Sequence, residues 1–404
     1  MFSDLVVVGG GAAGFFAAIT CAENSVKSVT ILEKTARVLH KVKISGGGRC
    51  NVTHECFEPR ELTRGYPRGE KSLIGPFHRF GALDTVEWFA SRGVTLKTED
   101  DGRMFPDTDS SQTIVDTLFD AAVAAGVEIR TSTGVASVER GDDGFEVVTE
   151  SGERIGTTNV LIATGGTRLA AGARLAADLG HTMEPPTPSL FTFKIRDPRL
   201  EGLLGLSVDP AEVRVPGTRL ESSGPVLVTH WGLSGPGILR ISAWGARELA
   251  ARDHRFDVSV NWVPGLDPAE VVAARRRDDA RRRLSSRSPF DTIPKRLWAR
   301  LLDTAGVTEE TTWAQLGREP ARRLVGELTA STFQVVGTST NKDEFVTCGG
   351  VALDEVDFRT MESKLVPGLF FAGEVVDVDG ITGGFNFQNA WTGGYHAGST
   401  VASR

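Results

Sequence analysis

The chain opens on a continuous apolar, β-branched run, Leu5-Val6-Val7-Val8, that stops at Gly9-Gly10-Gly11-Ala12-Ala13-Gly14. A short run that is apolar throughout predicts a strand buried on both faces of a parallel sheet. Residues 15–22, rich in Ala and Phe, predict a helix, and residues 29–32 a second buried strand that ends in Glu33. Leu83, Val86, Phe89 and Ala90 fall on one face of a helix over 82–92. Asp109 with Gln112 has the spacing of a capping box for a helix over about 110–125. The stretch 102–106 between them reads as a loop. Residues 127–130, 135–140 and 145–149 alternate and are separated by turn residues, which predicts a β-meander interrupting the first unit. Residues 159–163 form another buried run, entering Gly165-Gly166. Pro185, Pro186 and Pro188 then mark a boundary. Residues 190–263 are β-rich, as a small barrel or sandwich, with one helix over 235–250. Residues 267–328 read as polar helices. A third buried strand, 369–372, ends in Gly373-Glu374, and Gly383-Gly384-Phe385-Asn386 opens a helix near Phe387.

Strand, glycine turn and helix in that order place main-chain N–H groups and a helix dipole against a pyrophosphate. Gly9 permits the tight turn, Gly11 the approach of phosphate to backbone, and Gly14 the packing of helix on strand. Glu33 stands about 20 residues on, where a ribose hydroxyl needs an acceptor. Ser45-Gly46-Gly47-Gly48-Arg49-Cys50-Asn51 resembles a second anion-holding loop, with Arg49 as its charge and Asn51 able to donate and accept at a ring edge. A flexible surface loop has the same composition. Gly383 and Gly384 repeat the logic of the first turn, aiming a helix N-terminus where a flavin gains negative charge on reduction. Glu374 could hold a ribityl hydroxyl. Together these segments predict non-covalent FAD binding.

Composition narrows the class. At 404 residues the chain suits two or three domains, and a formal charge of −7 invites neither nucleic acid nor an anionic membrane. Four cysteines without CxxC or zinc spacing argue for a reducing compartment and give no metal site. The first apolar run lacks a basic leader and no run approaches a membrane span, so the expectation is a cytoplasmic protein. One local exception stands out: residues 275–300 hold ten basic side chains against three acidic ones. That run could be a nucleic-acid patch. It is read instead as the solvated face of a helical insert, because basic helix faces are common.

The motifs resemble the BaiN-type NAD(P)/FAD-dependent oxidoreductases, an aminoacetone oxidase-like family of bacterial flavoproteins. The resemblance rests on the Gly9–Gly14 turn, Ser45 to Asn51, Gly102-Arg103-Met104-Phe105-Pro106, Ala163-Thr164-Gly165-Gly166, Thr229-His230-Trp231-Gly232-Leu233-Ser234-Gly235-Pro236, and residues 372–380 and 383–388. His54 and Cys348 depart from the usual pattern without threatening FAD binding.

The resemblance implies an α/β fold. A discontinuous, glutathione-reductase-like Rossmann FAD-binding domain (1–188 and 340–404) would carry a β-barrel insert (189–264 and 326–339) and a small helical insert (265–325). It implies cofactor contacts at Gly9, Gly11, Ala12, Ala13, Gly14, Glu33, Lys34, Ser45 to Asn51, Val135, Ala163 to Gly166, Gly373, Glu374 and Gly383 to Asn386. The expected activity is NAD(P)H-linked reduction of an unsaturated or carbonyl-containing small molecule by hydride from flavin N5, with NAD(P)H docking transiently. His230 is the best-motivated proton donor, ahead of His40, His78 and Tyr66. A hydrogen-bonded structural histidine would look the same. Cys50 is expected to pack beside the flavin rather than to act as a redox thiol. The alternatives are a tRNA-modifying flavoenzyme and a flavin-binding sensor without turnover.

Overall fold

The computed structural model describes residues 2–141, 144–166, 171–339 and 346–404. The chain divides into two compact units, Met1–Thr187 with Val346–Arg404, and Pro188–Phe345. Each has its own apolar core cluster.

In the first unit, strand Phe2–Val8 pairs in parallel with Val29–Leu32 on one side and with Arg154–Ile162 on the other. Leu369–Phe371 adds in parallel beyond Arg154–Ile162, and Glu128–Arg130 beyond Val29–Leu32. Their carboxyl ends are in register: Val8 lies opposite both Leu32 and Ile162, and Ile162 opposite Phe371. Val29–Leu32 and Leu369–Phe371 are buried on both faces, as their largely apolar runs require, while Glu128–Arg130 at the edge is not. Helix Ala12–Glu23 packs closely on the C-terminal helix Phe385–Ala402. Gly394 and Gly398 make this possible, since a Cβ on either would meet the backbone oxygen of Ala13 or Ala17 at 2.6 and 2.4 Å.

Four local expectations are corrected. Glu128–Arg130 belongs to the parallel sheet, so the antiparallel meander is Val135–Gly141, Gly144–Thr149 and Arg154–Ile162. Residues Arg103–Pro106 are the central strand of a small sheet, between Thr53–His54 and Leu96–Thr98, and not a loop. Helix Ser111–Ala124 is capped by the Ser110 hydroxyl, which accepts from Gln112 N–H. Asp109 instead turns into left-handed backbone and pairs with Lys97 and Arg49. In helix Ala82–Ala90 the buried side chains are Ala82, Thr85 and Phe89, while Leu83 and Ala90 face solvent.

In the second unit, six antiparallel strands close a barrel, in the order Thr192–Ile195, Gly232–Ser234, Glu221–Val228, Ser207–Arg214, Phe256–Asn261 and Ser331–Ser339. Closure leaves no unpaired edge. The expected single helix over 235–250 is two, Pro236–Trp244 and Ala246–Ala250, parted at Gly245. Helices Pro268–Asp278, Lys295–Thr304 and Arg318–Ala330 share one apolar cluster with the barrel. Phe290 and Trp298, the aromatic side chains inside the basic run, belong to that core.

Candidate functional site

The register of the parallel strands brings the first turn at Gly9, residues Ala163 and Thr164, and residues Ala372 and Gly373 to one edge of the sheet. The glycines there do different work. A Cβ on Gly9 would stand 2.5 Å from the Ala163 oxygen, and one on Gly14 2.1 Å from the Gly9 oxygen. Both positions are closed by protein. A Cβ on Gly11 would meet nothing within 4 Å, and Gly11 has extended backbone that any residue adopts. It is the N-cap of helix Ala12–Glu23 and no side chain caps that helix. A helix N-terminus with open space before it suits an anion. Ala13 is buried against Gly373.

Glu33 is held at the end of its strand from two sides. Its Oε2 accepts from Gly10 N–H at 2.9 Å, and its Oε1 from the N–H and hydroxyl of Thr35, both at 2.8 Å. A carboxylate so oriented keeps lone pairs for a further donor. Lys34 pairs with Glu150 in solvent, and Val135 is buried at the start of its strand.

The second glycine loop leaves helical dihedrals at Ser45. Gly46, Gly47 and Gly48 all have positive φ, and a Cβ on Gly47 or Gly48 would meet nothing within 4 Å. Successive left-handed residues turn N–H groups to one side. Arg49 was expected to lend this loop its charge. Its guanidinium instead binds Glu99 at 2.6 Å and lies 4.0 Å over the Phe105 ring. Ser45 donates to the Val42 oxygen. Cys50 is fully buried, and burial pushes its thiol up to about 12, so it stays protonated.

Asn51 acts within the protein. In the amide orientation that satisfies both ends, its oxygen accepts from Gly384 N–H and its nitrogen donates to the Thr53 oxygen, each at 3.0 Å. Gly384 has no alternative here, because a Cβ would stand 2.4 Å from Thr53 O. Asn386 closes its own turn through both Gly380 N–H and Gly380 O, at 2.8 and 3.0 Å. The Phe385 ring packs on Tyr66 and His54. The Tyr66 hydroxyl donates to the Phe385 oxygen at 2.6 Å, and burial pushes the phenol well above its usual range. Sequence reading missed Arg68 and Asp379, a nearly buried ion pair that anchors this loop. Their separation in sequence gave no signal.

At the end of the third strand, Glu374 Oε2 binds Lys41 at 2.7 Å and accepts from Gly166 N–H at 3.3 Å. Gly165 lies beside both side chains. Thr164 Oγ1 is buried with no hydrogen-bond partner among the described residues. Of the proposed proton donors, His40 and His78 are exposed on the first unit. His230 is on the barrel unit, in the turn after strand Glu221–Val228, and packs on Trp231 with ring centroids 4.7 Å apart.

The open Gly11, Gly47 and Gly48, the uncapped helix and the orphaned Thr164 hydroxyl are what a dinucleotide site requires, and FAD fits the donors present. No helix among the described residues is long and apolar enough to cross a membrane.

Comparisons with known proteins agree with this architecture. The ribosomal RNA dihydrouridine synthase of Escherichia coli K12 is 33% identical, over 96% of this chain and 95% of that protein. The 3-dehydro-bile acid delta(4,6)-reductase of Clostridium scindens is 28% identical, over 98% of each. Among solved structures, the 3-ketosteroid-delta4-(5alpha)-dehydrogenase of Rhodococcus jostii RHA1 superposes with a TM-score of 0.54 at 14% identity, covering 100% of this chain and 97% of that one, a likeness of fold. The HI0933-like protein Rossmann domain model matches residues 3–400. The chain belongs to the HI0933-like Rossmann family of flavin-dependent oxidoreductases.

Proposed function

We propose that the protein is an FAD-dependent reductase of a carbon–carbon double bond conjugated to a carbonyl, and that its substrate is a uracil ring in ribosomal RNA. The observation that carries the flavin half is the open space before Gly11 at the edge where the parallel strands end together. The names of the relatives supply the rest. Dihydrouridine is uridine saturated at the double bond conjugated to a ring carbonyl, and a delta(4,6) dienone carries the same conjugation. One chemistry covers both.

In this reading Gly11 and the helix behind it hold the pyrophosphate, and Glu33 a ribose. The Gly46–Gly48 loop, Thr164 to Gly166, Glu374 and the helix N-terminus at Gly384 surround the flavin half. Bound FAD supplies the hydride. NAD(P)H is the source of electrons. His230 gives the proton to the carbon next to the carbonyl, as a general acid.

Purified protein should be yellow, and NADH or NADPH should bleach it without oxygen. Ribosomal RNA lacking the modification should then gain dihydrouridine, read by mass spectrometry of nucleosides. Colourless protein that cannot be reconstituted would end the flavin assignment. His230→Gln should keep its flavin and lose turnover, and unchanged turnover across pH would remove His230 as donor. Reduction of a small conjugated enone is the second reading, favoured by the Clostridium relative. Turnover of steroid enones with no gain of dihydrouridine in RNA would establish it instead.

A further inference from the structure

Trp231 is large, apolar and 43% exposed in the turn between strands Glu221–Val228 and Gly232–Ser234. Burial would gain such a ring about 25 cal/mol per Å² of apolar area, a gain that a partner covering it would recover. His230 packs on one side of it, and Lys194 Nζ lies 5.6 Å from its centroid. An exposed indole with a cation over it is the arrangement on which nucleobases stack.

The turn is tied to the end of the basic run through one loop. Ile195 N–H donates to the Trp231 oxygen at 2.9 Å, and Gly205 N–H to the Val228 oxygen at 2.9 Å. Between those points the chain crosses residues 196–204, ending at the 61% exposed Leu204. On the same loop, Arg296 donates to the Gly202 oxygen and Arg300 to the Glu201 oxygen, both at 3.0 Å. Both guanidinium groups are held in place by carbonyls. Among the described residues neither has a carboxylate partner, and neither does Lys295.

Structural economy does not explain these cations. Arg275, Arg276 and Arg277 sit in the last turn of their helix, where its dipole welcomes positive charge. Lys295 and Arg296 sit in the first turn of helix Lys295–Thr304, which has no acid there and no side-chain cap. That is the pole at which cations cost stability. Four cations of the run share three carboxylates: Arg275 and Arg282 both pair with Asp279, Arg283 with Glu310, and Arg287 with Asp291. Arg276, Arg277 and Arg281 at the start of the run, and Lys295, Arg296 and Arg300 at its end, have no carboxylate partner among the described residues, and the last three lie beside the loop that reaches Trp231. Glu201 is the acid within that loop, and Asp197 is taken up by Arg199.

We propose that Trp231, Lys194, Lys295, Arg296 and Arg300 form a strip on the barrel unit that binds single-stranded RNA, with Trp231 stacking a base and the cations taking flanking phosphates. The proposal rests on the RNA reading above and adds the surface that recognises it. It needs no base-specific contact.

The test measures binding of FAD-loaded enzyme to a labelled oligouridylate and to deproteinised ribosomal RNA across a salt series. Flavin absorbance is read on every sample. Trp231→Ala should weaken binding about ten-fold with an unchanged salt slope, and Trp231→Phe should restore most of it. Lys295→Ala with Arg296→Ala should lower the slope of log affinity against log salt by about one for each phosphate left without its cation. Lys295→Ala alone tests charge without loosening the loop that Arg296 ties. Affinities and slopes equal to wild type in every variant would overturn the strip while leaving RNA as substrate. Flavin-loaded wild type that binds neither RNA would overturn the strip and the RNA reading together, yet leave the reductase chemistry. Absence of flavin would instead strike the reductase reading itself.

Discussion

At Gly11 an added methyl group would meet open space, and at Gly14 it would meet the Gly9 carbonyl oxygen at 2.1 Å. Gly11→Val should therefore fold, keep its melting temperature without cofactor, and fail to retain FAD. Gly14→Ala should lose stability whether or not FAD is added, since helix and strand must part. Circular dichroism melts beside flavin absorbance separate the two. A yellow Gly11→Val protein would refute the placement of the pyrophosphate. Spacing alone offered Gly11 to a phosphate and Gly14 to helix–strand packing, and the coordinates add open space at the first and a 2.1 Å approach at the second. Spacing marks where backbone must be bare, and coordinates show how near the protein itself comes. Arg49 and Asn51 teach the same lesson in reverse. Residue type offered each to a cofactor, while each is taken up within the protein, Arg49 by Glu99 and Asn51 by Gly384 and Thr53.

The C-terminal helix Phe385–Ala402 carries two ties to segments distant in sequence, one along its length and one near its start. His396 Nε2 lies 3.1 Å from the Pro76 oxygen and the ring is buried, which lowers its pKa below the usual 6.5. The unfolded chain then binds a proton that the folded chain refuses. The stabilisation from a neutral His396 is complete above about pH 6.5 and is lost as pH falls toward the lowered folded value. Urea midpoints should drop between about pH 7.5 and about pH 5.5, and His396→Gln should flatten that drop. An equal drop in the variant would assign it elsewhere. Near the start of the helix, Arg68 and Asp379 pair with side chains only 11% and 1% exposed. Arg68→Met leaves a buried carboxylate without its guanidinium and should cost about 3–5 kcal/mol. Adding Asp379→Leu should restore part of it, because the pair's worth lies in mutual compensation; no recovery in the double variant would mean that Arg68 acts through packing. Elements with β-branched, largely apolar runs, such as Val29–Leu32, had bounds readable from sequence. Arg103–Pro106 did not, because a four-residue strand between two short partners is specified by its neighbours rather than by its own pattern.

At the scale of the molecule, two apolar clusters serve two units, and every residue proposed to hold FAD lies in the first. The buried strands of the parallel sheet were legible because they advertise themselves as apolar, β-branched runs, whereas the polar edge strand Glu128–Arg130 was not. The link from Trp231 to Arg296 through residues 196–204 was not, because it depends on which loop covers which end of a closed barrel. This separation of cores has a thermodynamic consequence. A ligand stabilises only the state that binds it, by RT ln(1 + [L]/Kd), or about 2.7 kcal/mol at a hundred-fold excess over Kd. If FAD is gripped by Gly11, Glu33, Thr164 and Gly384, that increment belongs to the unfolding of Met1–Thr187 with Val346–Arg404. The barrel unit should not feel it. Calorimetry of the apoprotein at rising FAD should thus move one transition upward with the logarithm of FAD concentration and leave a second in place. Emission from Trp262, Trp298 and Trp313, all in the barrel unit's core, should follow the stationary one. Equal movement of both transitions would mean that the barrel unit shares in holding the cofactor, and the assignment of FAD to the first unit alone would fall.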